Sequence, residues 1–188
     1  MTQGWDSTDR PRKARAITPG RLVRRFIAAR GGATAVEFAI VAAPFLFLLA
    51  AVFETAILFF TQSAIETGLN KAARQIRTGQ VQAQGLTASQ FKDLVCSNLA
   101  SYLDCQNNLQ IDVRSFPAFS DVNVPDLVVD DELVEDFEYR PGGAMEVVVA
   151  RAAYVWDLMT PDPISGLANL SGGKRLLAAG ATFRNEPF

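Results

Sequence analysis

The chain has 188 residues and a formal net charge of -2, with 18 Lys/Arg, 20 Asp/Glu and no histidine. That length suits one domain with an appendage. The missing histidine excludes His-based triads, histidine metal ligands and the usual general base near neutral pH.

The charge is unevenly spread. Residues 1 to 32 carry eight Lys/Arg against Asp6 and Asp9, and the other 156 residues carry ten basic and eighteen acidic side chains. A basic head on an acidic body suits a nucleic-acid arm only where no hydrophobic segment adjoins it. Here one follows at once, so no nucleic acid is expected as a partner.

Residues 1 to 20 are polar, basic and broken by Pro11, Pro19 and Gly20. They lack the apolar mass to fold and read as a disordered leader. RLVRRFIAAR, residues 21 to 30, has the pattern of a short amphipathic helix on anionic lipid. From Phe38 to Phe53 no residue is charged, and after Glu54 the run resumes as TAILFF. Val36 to Phe60 as a helix covers about 36 Å, enough for a hydrocarbon core of about 30 Å. A buried core helix is the competing reading, but a domain this small has little material to surround so apolar a stretch. Arg21, Arg24, Arg25 and Arg30 precede the span and Lys71 is the first basic residue after it. That asymmetry predicts a cytoplasmic head and an exported body.

Helical periodicity continues through Ile65, Leu69, Ala72 and Ile76. Gly79 is the expected stop, so Ala33 to Thr78 reads as one long helix, with a bend expected at Pro44. A second helix is expected from about Ser89 to Tyr102, capped by Thr87 or Ser89. Strands are expected at 109 to 116, 145 to 156 and 176 to 185. The acidic, proline-containing stretch from about 117 to 142 reads as a long loop, and 160 to 174 as a turn-rich connection. Helices followed by widely spaced strands predict an α+β fold: a long N-terminal transmembrane helix extended into a small exported domain with a helix and an antiparallel sheet. The expected domains are a basic, mostly disordered cytoplasmic leader at 1–32, a transmembrane helix at 33–60 and an exported domain at 61–188.

Little chemistry is on offer. The acids of DDELVEDFE (130 to 138) lack the spacing and glycine of an EF-hand and read as a solvated loop. No glycine-rich phosphate loop follows a strand. Catalytic residues, cofactors, metals and a small-molecule substrate are all expected to be absent. Cys96 and Cys105 cannot close a zinc site alone, and in an exported domain a disulfide is the natural reading, with two free buried thiols as the alternative. Nine residues along one straight helix separate Cα atoms by about 13.5 Å, so a bridge requires the chain to turn before Cys105.

The junction of head and span reads RGGATAVEFAIV, with Gly32 before the apolar run and Glu37 the fifth residue beyond it. An ordinary signal peptide is cut after its apolar segment, and no convincing site follows Phe60. The junction resembles the start of TadE-like proteins, the pseudopilins of tight-adherence (Flp-type) pilus systems. ARQIRTGQ after the span, the paired cysteines, the VVVARAAYVW strand and the terminal FRNEPF extend the likeness over most of residues 25 to 188. The resemblance implies prepilin-type processing between Gly32 and Ala33, although members of the group differ in whether the leader is removed. It also implies pairing of Glu37 with the N-terminal amine of a neighbouring subunit in the membrane; the alternative is that Glu37 only snorkels to the headgroups. Glu54 reads as merely interfacial. The function so implied is that of a non-enzymatic minor pseudopilin or assembly protein in biogenesis of a Tad (Flp-type) pilus. Its expected partners are the lipid bilayer, other pilus components and a prepilin peptidase. The expected location is the inner membrane, single-pass, with the C-terminal domain periplasmic. The alternative from another class is a bitopic membrane-anchored binding module uninvolved in filament assembly.

Overall fold

The computed structural model describes residues 32–161 and 165–188. The expected disordered stretch at 1 to 20 and amphipathic helix at 21 to 30 lie outside those residues. The chain divides between Phe45 and Leu46 into two compact units.

Helix α1, Ala33–Arg77, is 45 residues long and runs through Pro44. Proline has no N–H, so the carbonyl one turn before it loses its helical donor. The most apolar eighteen-residue stretch of α1 is wholly unburied, which makes it a candidate membrane span. From Glu54 onward one face turns inward: Glu54, Leu58, Thr61, Ile65, Leu69, Ala72 and Ile76 are buried at steps of four or three. The same helix is therefore bare along its apolar part and amphipathic where it meets the domain.

Gly79 ends this run with φ of 75°. A Cβ there would lie 2.4 Å from the Phe188 ring, so glycine serves both the left-handed turn and the close approach of the last residue. A short helix α2, Gln80–Gln84, follows, then α3, Ala88–Cys96. Thr87 caps α3 by accepting from the Gln90 amide while the Gln90 side chain accepts from the Thr87 amide. Phe91 and Val95 are its fully buried residues, and Val95 packs where α1 carries Gly68.

The structure ends α3 at Cys96, six residues before the expected Tyr102. The Ser97 hydroxyl and the Asn98 amide both donate to the Leu94 carbonyl, which gives the chain side-chain partners in place of another helical turn. Tyr102, expected on the buried face, is 65 % exposed. The early stop lets Cys105, first residue of helix α4 (Cys105–Asn108), return to Cys96 in a disulfide with Cα atoms 5.7 Å apart. Closing so short a loop contributes about 2 to 3 kcal/mol.

The main sheet is an antiparallel array of three strands in the order β1-β4-β5, with β1 at Leu109–Phe116, β4 at Val147–Asp157 and β5 at Lys174–Arg184. The fold is α+β. Even-numbered residues of the central strand (Val148, Ala150, Ala152, Tyr154) join Leu109, Ile111, Val113, Leu177 and Ala179 in the core beneath α1 and α3. The opposite face is also covered. Ala153, Leu170 and Leu176 pack with Leu127, Val128, Leu133 and Phe137.

Those last residues belong to the stretch expected to be a plain loop. It contains a two-residue hairpin, β2 (Val128–Val129) with β3 (Glu132–Leu133), turned by Asp130 and Asp131 at φ of 53° and 59°. Two successive positive φ values are what a tight hairpin with right-handed strand twist requires, and aspartate tolerates them. Tyr139 then bridges in parallel to Val113. Strand β4 starts at Val147 rather than 145 because Met145 sits at φ of 65°, outside extended geometry.

Candidate functional site

Three constellations carry polar chemistry. The first is the start of α1. Gly32 and Ala33 are exposed, and nothing lies within 4 Å of where a Gly32 side chain would begin. Glu37 is exposed one turn further on and makes no hydrogen bond or ion pair among the described residues. Its neighbours Val36, Phe38, Ile40 and Val41 are between 53 and 73 % exposed. A carboxylate without a partner among the described residues thus stands in a stretch of helix whose neighbouring side chains suit lipid or a second helix.

The second constellation has no counterpart in the sequence reading. Glu54 is 1 % exposed, and its reading as merely interfacial misses its partners. The Thr160 amide donates to it at 2.9 Å, and the Met159 amide and the Thr160 hydroxyl donate as well. The Trp156 indole N–H lies beside the same carboxylate without completing a hydrogen bond. A groove of about 280 Å³ opens next to it, with Phe47, Ala50, Phe53 and Ile57 on the helix side and Met159 and Pro161 on the other. The available signal was an acid inside an apolar run, which demands a partner. The partner is 106 residues away in sequence, and no local pattern points to it.

The third is an ion-pair network on the outer face of the sheet. Asp112 and Arg151 face each other across β1 and β4. Asp112 is 1 % exposed and accepts from Arg151 Nε at 2.9 Å, Arg114 Nε at 3.0 Å and the Glu138 amide at 2.9 Å. Burial alone would raise this carboxyl, but the Glu138 amide and the two guanidiniums outweigh it and hold the group below its ordinary value. Arg114 also reaches Asp136 and Glu138. Two acids of the stretch expected to be a solvated loop are therefore partners of this network. Its geometry is structural: the buried Asp112 is matched by two guanidiniums and a backbone amide, and Arg114 by three carboxylates.

Among the described residues no cluster of three or more Cys, Asp or Glu side chains is placed to hold a metal ion. Residues 32–74 match the family model described as TadE-like protein. This segment is TadE-like. The match opens on Gly32 and closes on Arg74, so it takes in the exposed start of α1, Glu37, Glu54 and most of the amphipathic half. No curated protein and no solved structure matches the chain. The likeness read from the sequence ran on to Phe188; the TadE-like match leaves α3 and the sheet outside it.

Proposed function

We propose that this chain is a non-enzymatic assembly component, a minor pseudopilin, of a Tad (Flp-type) adhesive pilus. The supporting observation is the TadE-like match that begins at Gly32, on a helix whose apolar first part is exposed and which carries, at the fifth position beyond that glycine, a glutamate with no partner among the described residues. In this reading residues 1 to 32 are a cytoplasmic leader removed by a prepilin peptidase, α1 spans the inner membrane, and residues 61 to 188 face the periplasm. The basic head and the disulfide both favour that orientation. Glu37 pairs with the amine of a neighbouring subunit's first residue, which neutralises two charges at the membrane edge.

Glu37→Gln tests this directly. The change keeps size and hydrogen bonding but removes the charge, so a neighbour's amine is left uncompensated, a loss that costs several kcal/mol where the pair is desolvated. Membrane level should be unchanged, while pilus output and co-purification with pilus components fall sharply. Wild-type piliation in this variant would remove the assembly role and favour a membrane-anchored binding module. A reporter active only in the periplasm, joined after Phe188, should be active; silence there with a stable fusion reverses the orientation.

A further inference from the structure

Glu54 does not stand at the end of the apolar run. Phe59 and Phe60, more than one turn further toward the domain, are 72 % and 74 % exposed. If lipid covers those rings, Glu54 lies at membrane depth, and so does the loop it holds. That loop, Leu158 to Pro161, has no charged residue, and its Met159 side chain is 68 % exposed. Non-helical backbone is tolerated at such depth only when its polar groups have partners within the protein. Here each donor is matched: the Leu158 amide goes to the Gly173 carbonyl, the Met159 and Thr160 amides and the Thr160 hydroxyl go to Glu54, and Pro161 has no N–H. The Met159 and Thr160 donors are turned toward the helix, while the Met159 side chain stays exposed. Immediately before the loop the pattern reverses, because Asp157 and Lys174 form an exposed pair.

From this we infer that the loop Leu158 to Pro161 is a second membrane contact. It inserts Met159 into the edge of the hydrocarbon beside α1, and a lipid acyl chain fills the groove between Met159 and Phe53. The groove is continuous with the candidate span, since Phe47, Ala50, Phe53 and Ile57 all belong to α1. The inference rests on α1 crossing a membrane, and it adds that the domain is held against the bilayer surface at a fixed rotation about the helix. The role of Glu54 is then to make an irregular loop compatible with lipid.

The full-length protein in vesicles of phosphatidylethanolamine and phosphatidylglycerol allows a depth measurement. A nitroxide is attached at Met159→Cys, with Leu48→Cys as the span reference and Asp126→Cys as the exposed reference; the native cysteines are bonded to each other. Collision with oxygen reports lipid and collision with a water-soluble nickel chelate reports solvent. The expected result is that the label at 159 favours oxygen as the label at 48 does, and collides with nickel far less often than the label at 126. Nickel collision at 159 as frequent as at 126, with 48 in lipid, overturns the inference and leaves the span intact. Frequent nickel collision at 48 as well overturns the span and the loop together. A label at 159 shielded from both reagents overturns lipid as the occupant and points to a protein segment in the groove.

Discussion

Asp112→Asn should cost the domain on the order of 3 to 5 kcal/mol, because it strips one partner from a buried pair and leaves the other charge behind. Against a total stability of about 5 to 15 kcal/mol, that is a large share. The charge left behind is Arg151, which lies opposite Asp112 in the sheet and whose remaining partner is the Pro125 carbonyl. Arg114 suffers less, since Asp136 and Glu138 stay within reach. Urea unfolding of the purified protein measures the effect; a shift below about 1 kcal/mol would mean that water reaches this pair as it reaches an exposed one. The exposed Asp157–Lys174 pair is the contrast, and its removal should change stability by less than about 1 kcal/mol.

Acid adds a check with a definite sign. The folded-state value of Asp112 lies below its ordinary 3.8, so its contribution is whole above that value and is lost as pH falls through the lower folded one. The wild-type domain should therefore weaken below about pH 4, a window in which the Asn variant, already lacking the carboxylate, changes less.

Glu54→Leu should be the other severe change. It orphans two backbone amides and a hydroxyl at once, and each buried donor without a partner costs about 1 to 3 kcal/mol. Hydrogen exchange at the Met159 and Thr160 amides should accelerate by about a hundredfold, the equivalent of roughly 2.7 kcal/mol. Glu54→Gln keeps one acceptor and should fall between the two. Unchanged exchange in the Leu variant would mean that the loop is held by packing alone. Because neither the disulfide nor the strand pairing of the sheet involves Glu54, both should survive either substitution.

What the sequence discloses here depends on the range of the interaction. The long helix, its stop at Gly79, the Thr87 cap and the strand at 109 to 116 follow from periodicity and from residues within a turn of one another, and each is found at its expected place. The end of α3 falls earlier than its spacing suggests, because Leu99, Tyr102 and Leu103 continue a helical pattern that Ser97 and Asn98 interrupt through their side chains. The covering hairpin at 128 to 133 escapes a sequence reading because each strand is two residues long, too short for alternation to register. Glu54 and Asp112 depend on partners up to 106 and 39 residues away, and one sequence carries no mark of such pairings. The Gly32 to Glu37 spacing, by contrast, is local, and its meaning comes from the resemblance rather than from any contact in the fold.

The docking of the last residues on the end of α1 bears on the order in which the domain is made. The Glu186 amide donates to the Arg77 carbonyl, the two side chains pair at 3.2 Å, and Phe188 rests against Gly79. Strand β5 must also be present before β4 can have both its neighbours. Helix α1 emerges early in synthesis, but its inward face is only partly covered by α2 and α3 until β4 and β5 arrive about a hundred residues later, a pattern of distant contacts that slows folding. Through that interval Ile65, Leu69 and Ile76 are incompletely covered, so the nascent chain offers a sticky helix to whatever is nearby. A chaperone or an assembly partner that binds this face would have its opportunity then, and would lose it once the C-terminal residues settle.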